Sequence, residues 1–123
     1  MKKVKFKVVK IDSSGRRLSV FVQGKYELEY PKYAIVVAKK ETLGIAVFRT
    51  MREAYRFINL SKLSLQRCKI IHVYPHGRGK TGKIICGTQL ESELDNFYKN
   101  KKLTCVNKAP LGTIFYPAVE VLD

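Results

Sequence analysis

From the third position onward lysine alternates with apolar residues. Lys3, Lys5 and Lys7 fall on one parity, and Val4, Phe6 and Val8 on the other. A period of two belongs to a strand, and this one predicts an antiparallel strand over residues 3–11 with a single wet face. The turn formers Asp12-Ser13-Ser14-Gly15 follow, and a second strand, rich in β-branched and aromatic residues, is predicted over 16–22. Gln23-Gly24 suits a tight hairpin turn before residues 25–30 alternate again. The chain is therefore expected to open as a three-stranded meander.

Pro31 ends that pattern, and residues 32–42 are ambiguous, with a short apolar run at 34–38. Residues 43–48 predict a strand, after which the period changes. Thr50-Met51-Arg52-Glu53 fits a capping box, and Met51, Ala54, Tyr55 and Ile58 recur at helical spacing. A helix is predicted over 51–60. A strand at 67–74, a flexible glycine-rich loop at 75–82 and a short strand at 83–86 come next. Thr88-Gln89-Leu90-Glu91 repeats the capping box, and Leu90, Leu94, Phe97 and Tyr98 form a second helical stripe. A Pro110-Leu111-Gly112 turn leads to a last strand at 115–122. The expected fold is α+β, one domain over 1–123, with a mainly antiparallel sheet and two helices packed on it.

Composition narrows the class. With 123 residues, 46% hydrophobic and 28% charged, the chain is globular and of single-domain size. No apolar run is long enough for a membrane helix, and lysines interrupt the N-terminal stretch where a signal peptide needs an unbroken apolar segment. A cytoplasmic protein without membrane association is expected, in the host cytoplasm if the gene is viral. The 3 cysteines, Cys68, Cys86 and Cys105, are odd in number and widely spaced, which suits reduced thiols better than disulfides.

The charge is extreme: 24 Lys and Arg against 10 Asp and Glu, a formal net +14. Such an excess favours polyanionic partners, or simply solubility, and carries no information about fold. Between Glu53 and Glu91 there is no carboxylate, as a phosphate-facing surface requires. Within that stretch Gly77-Arg78-Gly79-Lys80-Thr81-Gly82-Lys83 matches the start of a nucleotide-binding P-loop. Ile84 then stands where a Mg²⁺-binding hydroxyl belongs, and a strand is expected where the motif needs a helix. What survives is a loop whose glycines bring backbone N–H groups to an anion, or equally a soluble hairpin tip. The expected phosphate contacts are Arg67, Lys69, His76, Arg78, Lys80 and Lys83, with the Tyr74 ring available for base stacking. Cys68, His72 and His76 are spaced by four, but on a strand and loop, with no fourth ligand, this spacing does not make a metal site. No paired acid and base is evident. Neither an enzyme nor a cofactor is expected.

Three segments also carry a resemblance. They are Gly24-Lys25-Tyr26-Glu27-Leu28-Glu29-Tyr30; Gly44-Ile45-Ala46-Val47-Phe48-Arg49-Thr50 running into Met51-Arg52-Glu53-Ala54; and Ala109-Pro110-Leu111-Gly112-Thr113 ahead of Val119-Glu120-Val121-Leu122. Together they resemble a group of small uncharacterised α+β proteins from bacteria, archaea and their viruses. In that group a KYxxEY strand precedes a VFxTxxxA strand–helix junction, and an APxGT turn opens the final strand. The chain departs from the group after Tyr30, where a glycine- and tryptophan-containing loop is usual, and residues 61–108 have no counterpart. The resemblance implies a fold and brings no catalytic residues. The leading expectation is a non-enzymatic accessory domain, viral or from a mobile element, that binds nucleic acid through backbone phosphates with little sequence preference. The alternative is an inhibitor or adaptor that docks on an acidic protein surface.

Overall fold

The lysine-bearing first strand is the middle of the sheet. In the computed structural model, which describes residues 4–20, 27–39, 42, 44–60, 67–81, 83–85, 106–108 and 112–123, β1 (Lys5–Ile11) pairs antiparallel with three other strands. These are β2 (Arg17–Ser19), β4 (Ile45–Phe48) and β5 (Cys68–His76). With β3 (Ile35–Val37), β8 (Thr113–Tyr116) and β9 (Ala118–Val121) they make a 7-stranded sheet in the order β3-β9-β5-β1-β4-β8, β2 joining at β1. A separate 2-stranded ribbon pairs β6 (Lys83–Ile85) with β7 (Val106–Lys108). Among the described residues the helical component is α1 (Met51–Leu60). The fold is α+β, and its named strand pairings are antiparallel.

The single last strand expected at 115–122 is two strands, because Pro117 interrupts it. Proline has no N–H to give a ladder and commonly marks a bend or bulge. On one side of Pro117, β8 pairs with β4; on the other, β9 pairs with β5 and β3. Since β1 lies between β4 and β5, the bent strand ties the two ends of β5-β1-β4 together and curls the sheet around a core. Val9, Tyr30, Val36, Ile45, Val47, Ile71, Val73, Tyr116, Val119 and Val121 fill the inside of that curl. On the outside, Ala54 and Ile58 of α1 pack against Val8, Phe48 and Cys68.

Both faces of β1 are consequently covered around Lys7, which overturns the expectation of a wet lysine face there; Lys5 is half-buried, and Lys3 lies outside the described residues. Lys7 is 9% exposed and lies among the inner residues. Its Nζ donates to the Ala46 carbonyl at 2.8 Å and stands 5.3 Å from the centre of the Tyr30 ring. The alternation identified the strand correctly, but polar parity did not mark solvent: the long lysine stem lets a charged head be tolerated where both faces are closed.

Three further differences are physical. Residues 28–30 meet β2 through a Leu18–Glu29 bridge and backbone bonds from Ser19 to Leu28 and from Tyr30 to Arg17. The third arm of the meander is thus met only as a bridge, and its Gln23-Gly24 turn lies outside the described residues, as does the second helix expected from Thr88. β5 runs on through Pro75 and His76, so the loop begins at Gly77. Tyr55, expected in the buried stripe, is 48% exposed; Phe57 takes the inward place against Phe48, with ring centroids 5.2 Å apart.

The start of α1 follows the capping box. The Glu53 N–H donates to Thr50 Oγ1 at 3.1 Å, and the threonine hydroxyl lies 3.1 Å from the Glu53 carboxylate. Thr50→Ala is expected to cost about 1 kcal/mol, and Ile58→Ala roughly 2 to 4, since Ile58 is fully buried. Thermal melts read both, and an unchanged Ile58→Ala melt would contradict the inward face assigned to α1.

Candidate nucleic-acid interface

Alternation along β5 sorts the expected contacts. Cys68, Ile70, His72, Tyr74 and His76 share the parity that faces α1; Lys69, Ile71, Val73 and Pro75 share the other. Lys69 and His76 therefore sit on opposite faces of the sheet, roughly 23 Å apart along the strand at the usual rise per residue. The exposed Arg67 stands beside Lys69 at the start of β5. The expected six-residue set does not converge. It splits into Arg67 and Lys69 at one end and His76, Arg78 and Lys80 at the other. Lys83 belongs to the ribbon, in register with Lys108. The same geometry separates the possible zinc ligands: Cys68, His72 and His76 share a face, but each step of four residues is about 13 Å, far beyond the reach of one ion.

The glycine loop is fastened to the sheet. Lys80 exchanges backbone hydrogen bonds with Phe115 at 3.0 and 2.7 Å, extending the β5 edge along the bent strand. Gly77 has a left-handed φ of 81°, and a Cβ there would fall 2.3 Å from Pro117 Cγ. A Cβ on Gly79 would fall 2.7 Å from both Ile114 Cγ2 and the Tyr116 ring. These glycines let backbone approach protein. That is a packing reason for residues expected to cradle an anion, and it leaves Arg78 and Lys80 as exposed side chains on a fixed segment.

Sequence reasoning overlooked the outer face of α1. Arg52, Tyr55, Arg56 and Asn59 recur at helical spacing and are all exposed, and Arg49 stands exposed one turn earlier. Among the described residues none of these arginines has an ion-pair partner. The nearest carboxylate in sequence, Glu53, is half-buried and held by the cap. Lys80 lies on the same side of the sheet: it pairs with Phe115, which pairs with Ala46 of β4, on whose outer face α1 rests. The stripe is present in the sequence as the complement of the apolar one, and only Arg56 of its arginines falls in the acid-free run after Glu53.

Elsewhere some of the charges are matched. Lys10 meets Glu27 at 2.8 Å, Arg16 meets Asp12 at 2.9 Å and His76 lies 3.5 Å from Glu120. Hydrogen bonds from Ser14 and Arg16 hold Asp12 down to about 2. Asp123 grips His72 twice, its Oδ1 accepting the backbone N–H and its Oδ2 meeting ring Nδ1, each at 2.7 Å. Burial works to raise the Asp123 carboxyl, but the His72 bonds and the His72 and Lys69 charges outweigh it and leave the group below its ordinary range. A carboxylate that orients an imidazole is half of an acid–base device. Among the described residues no hydroxyl or thiol is hydrogen-bonded to His72. Fifty-one residues separate this pair, which left no local signal to read.

Cys68 is free and buried, and burial raises its thiol against the opposing pull of Lys10, which disfavours the thiolate. Among the described residues no helix is long and apolar enough to cross a membrane. Compared with known proteins, the chain matches no family model, no curated protein and no solved structure.

Proposed function

We propose that this protein is a non-enzymatic basic domain that binds nucleic acid through its backbone phosphates. The observation that supports it is the carboxylate-free outer face of α1, where Arg49, Arg52 and Arg56 stand unpaired and exposed around Tyr55, with Lys80 on the same side of the sheet. Guanidinium groups are well suited to phosphate oxygens, and a half-exposed tyrosine adds a ring on which an unpaired base can stack. Charge distribution favours this face over the β5 start, where Lys69 acts on Asp123 and Lys10 and Arg16 are held in ion pairs. Arg78 belongs to the same reading as a flanking contact, while Arg67 and Lys69 do not.

Phosphate contacts fix position without reading bases, so affinity should barely depend on sequence. Fluorescence anisotropy with duplexes of unrelated sequence at low salt is expected to give dissociation constants within about tenfold of one another, tighter than the non-specific range of roughly 1–100 μM that applies at physiological salt. Strong preference for one sequence would replace phosphate contact by base readout. Absence of binding at low salt would remove nucleic acid as the partner.

A further inference from the structure

β3 is the outermost strand on one side of the sheet, and its residues divide by parity. Val36 points into the core, while Ile35 and Val37 are 62% and 63% exposed and Tyr33, just before the strand, is 70% exposed. The backbone divides in the same way. The Ala34 carbonyl accepts from Val121 N–H, and Ala38 N–H donates to the Pro117 carbonyl, both at 2.8 Å. These bonds set the antiparallel period, so the even residues are those that bond to β9. Ile35 and Val37 turn their N–H and C=O groups outward, and among the named strands none pairs with that edge.

Soluble proteins usually guard such an edge with a central charge, a proline or a covering segment. Here the middle of the edge is isoleucine and valine, and the charges stand at its ends. Lys32 holds its Nζ 5.3 Å from the centre of the Tyr33 ring, and Lys39 is exposed just beyond the strand. We infer that this edge takes up an extended segment of another protein, apolar in its middle and acidic at its flanks, as an added strand beside β3. Main-chain bonds to Ile35 and Val37 supply the attachment. Their side chains, beside Ala118 and Glu120 of β9, receive alternate apolar residues, and Lys32 and Lys39 meet the flanking carboxylates. A second copy of the chain fits worse, because it brings a net +14 against +14 and sets lysine-flanked edges on each other. This surface lies on β3, apart from the α1 face proposed for nucleic acid, so either can fail without the other.

The test uses a synthetic peptide of alternating valine and threonine with glutamates at both ends, titrated into the whole protein by fluorescence anisotropy. Saturable binding is expected, weakened about tenfold or more by a lysine-flanked version. The double variant Ile35→Thr, Val37→Thr keeps β-branched side chains and should lose binding to a similar degree. N-methylation of alternate peptide amides leaves every side chain in place and should abolish binding to the unaltered protein, a comparison that stands even if the double variant folds poorly. No saturable binding of the glutamate-flanked peptide would overturn the inference, as would equal binding of the N-methylated one. Concentration-dependent dimers that disappear in the double variant would assign the edge to a second copy instead.

Discussion

Lys7→Met is expected to raise stability at neutral pH by about 1 to 3 kcal/mol, an unusual gain for a single core substitution. Burial lowers the Lys7 pKa from 10.5 to about 8, so below pH 8 the folded protein carries an ammonium without a carboxylate beside it. A shift of that size corresponds to roughly 3 kcal/mol. The bond to the Ala46 carbonyl and the Tyr30 ring offset part of the burial cost and are lost in the variant, hence the lower bound. The sign of the pH dependence follows. Between pH 8 and 10.5 the unfolded chain keeps a proton that the folded chain has released, so stability rises with pH across that window. Burial also holds the Tyr30 phenol well above its ordinary range of 10. At higher pH the unfolded tyrosine ionises while the folded one does not, and stability falls again. Urea melts should therefore show wild-type stability climbing to a maximum near about pH 10, with Lys7→Met lacking the climb. A flat wild-type profile, or a Lys7→Met protein less stable than wild type at pH 7, would contradict the buried ammonium.

Lys7 also shows how far the sequence could be read. The period of two at residues 4–8 identified a strand, because pleating is local. Which parity met solvent depended on Pro117 bending a strand more than a hundred positions away, and no local pattern carries that. The α1 cap and the inward places of Ala54 and Ile58 were legible from helical spacing, whereas Tyr55 and Phe57 exchanged roles. Both sit at the margins of the stripe, where packing decides. Of the candidate site, the basic residues were legible in the sequence and their separation along the sheet was not. An acid-free run pointed to phosphate, but β5 lies fully extended and carries Arg67 and Lys69 away from Arg78 and Lys80. Gly77 and Gly79 looked like an anion cradle because a glycine's need for close approach is the same whether a phosphate or Pro117 stands opposite. Pairings such as His72 with Asp123 and Ile35 with Glu120 depend on sheet register and left no trace in the sequence.

The second large effect is expected on α1. Arg49→Ala, Arg52→Ala and Arg56→Ala together remove the exposed guanidinium groups of its outer face and of the residue just before its cap, and leave its buried face unchanged. Alanine is a strong helix former, so the melt should move little. Binding of duplex DNA at low salt should weaken about a hundredfold or more if each arginine contributes a typical charge-assisted phosphate bond. Removing Lys5, Arg67 and Lys69 instead takes away equal charge, two of the three from the β5 start, and serves as the matched control. Comparable weakening by both triples would mean that net charge acts without a defined surface.

The most direct measurement is the salt dependence of duplex binding for the wild type and these two triples. Each neutralised phosphate contributes roughly 0.9 to the slope of log affinity against log salt. Loss of the α1 arginines should therefore lower the magnitude of that slope by about 2 to 3, while the matched control changes it by less than about 1. Equal slopes for wild type and the α1 triple would contradict a phosphate-binding face on this helix.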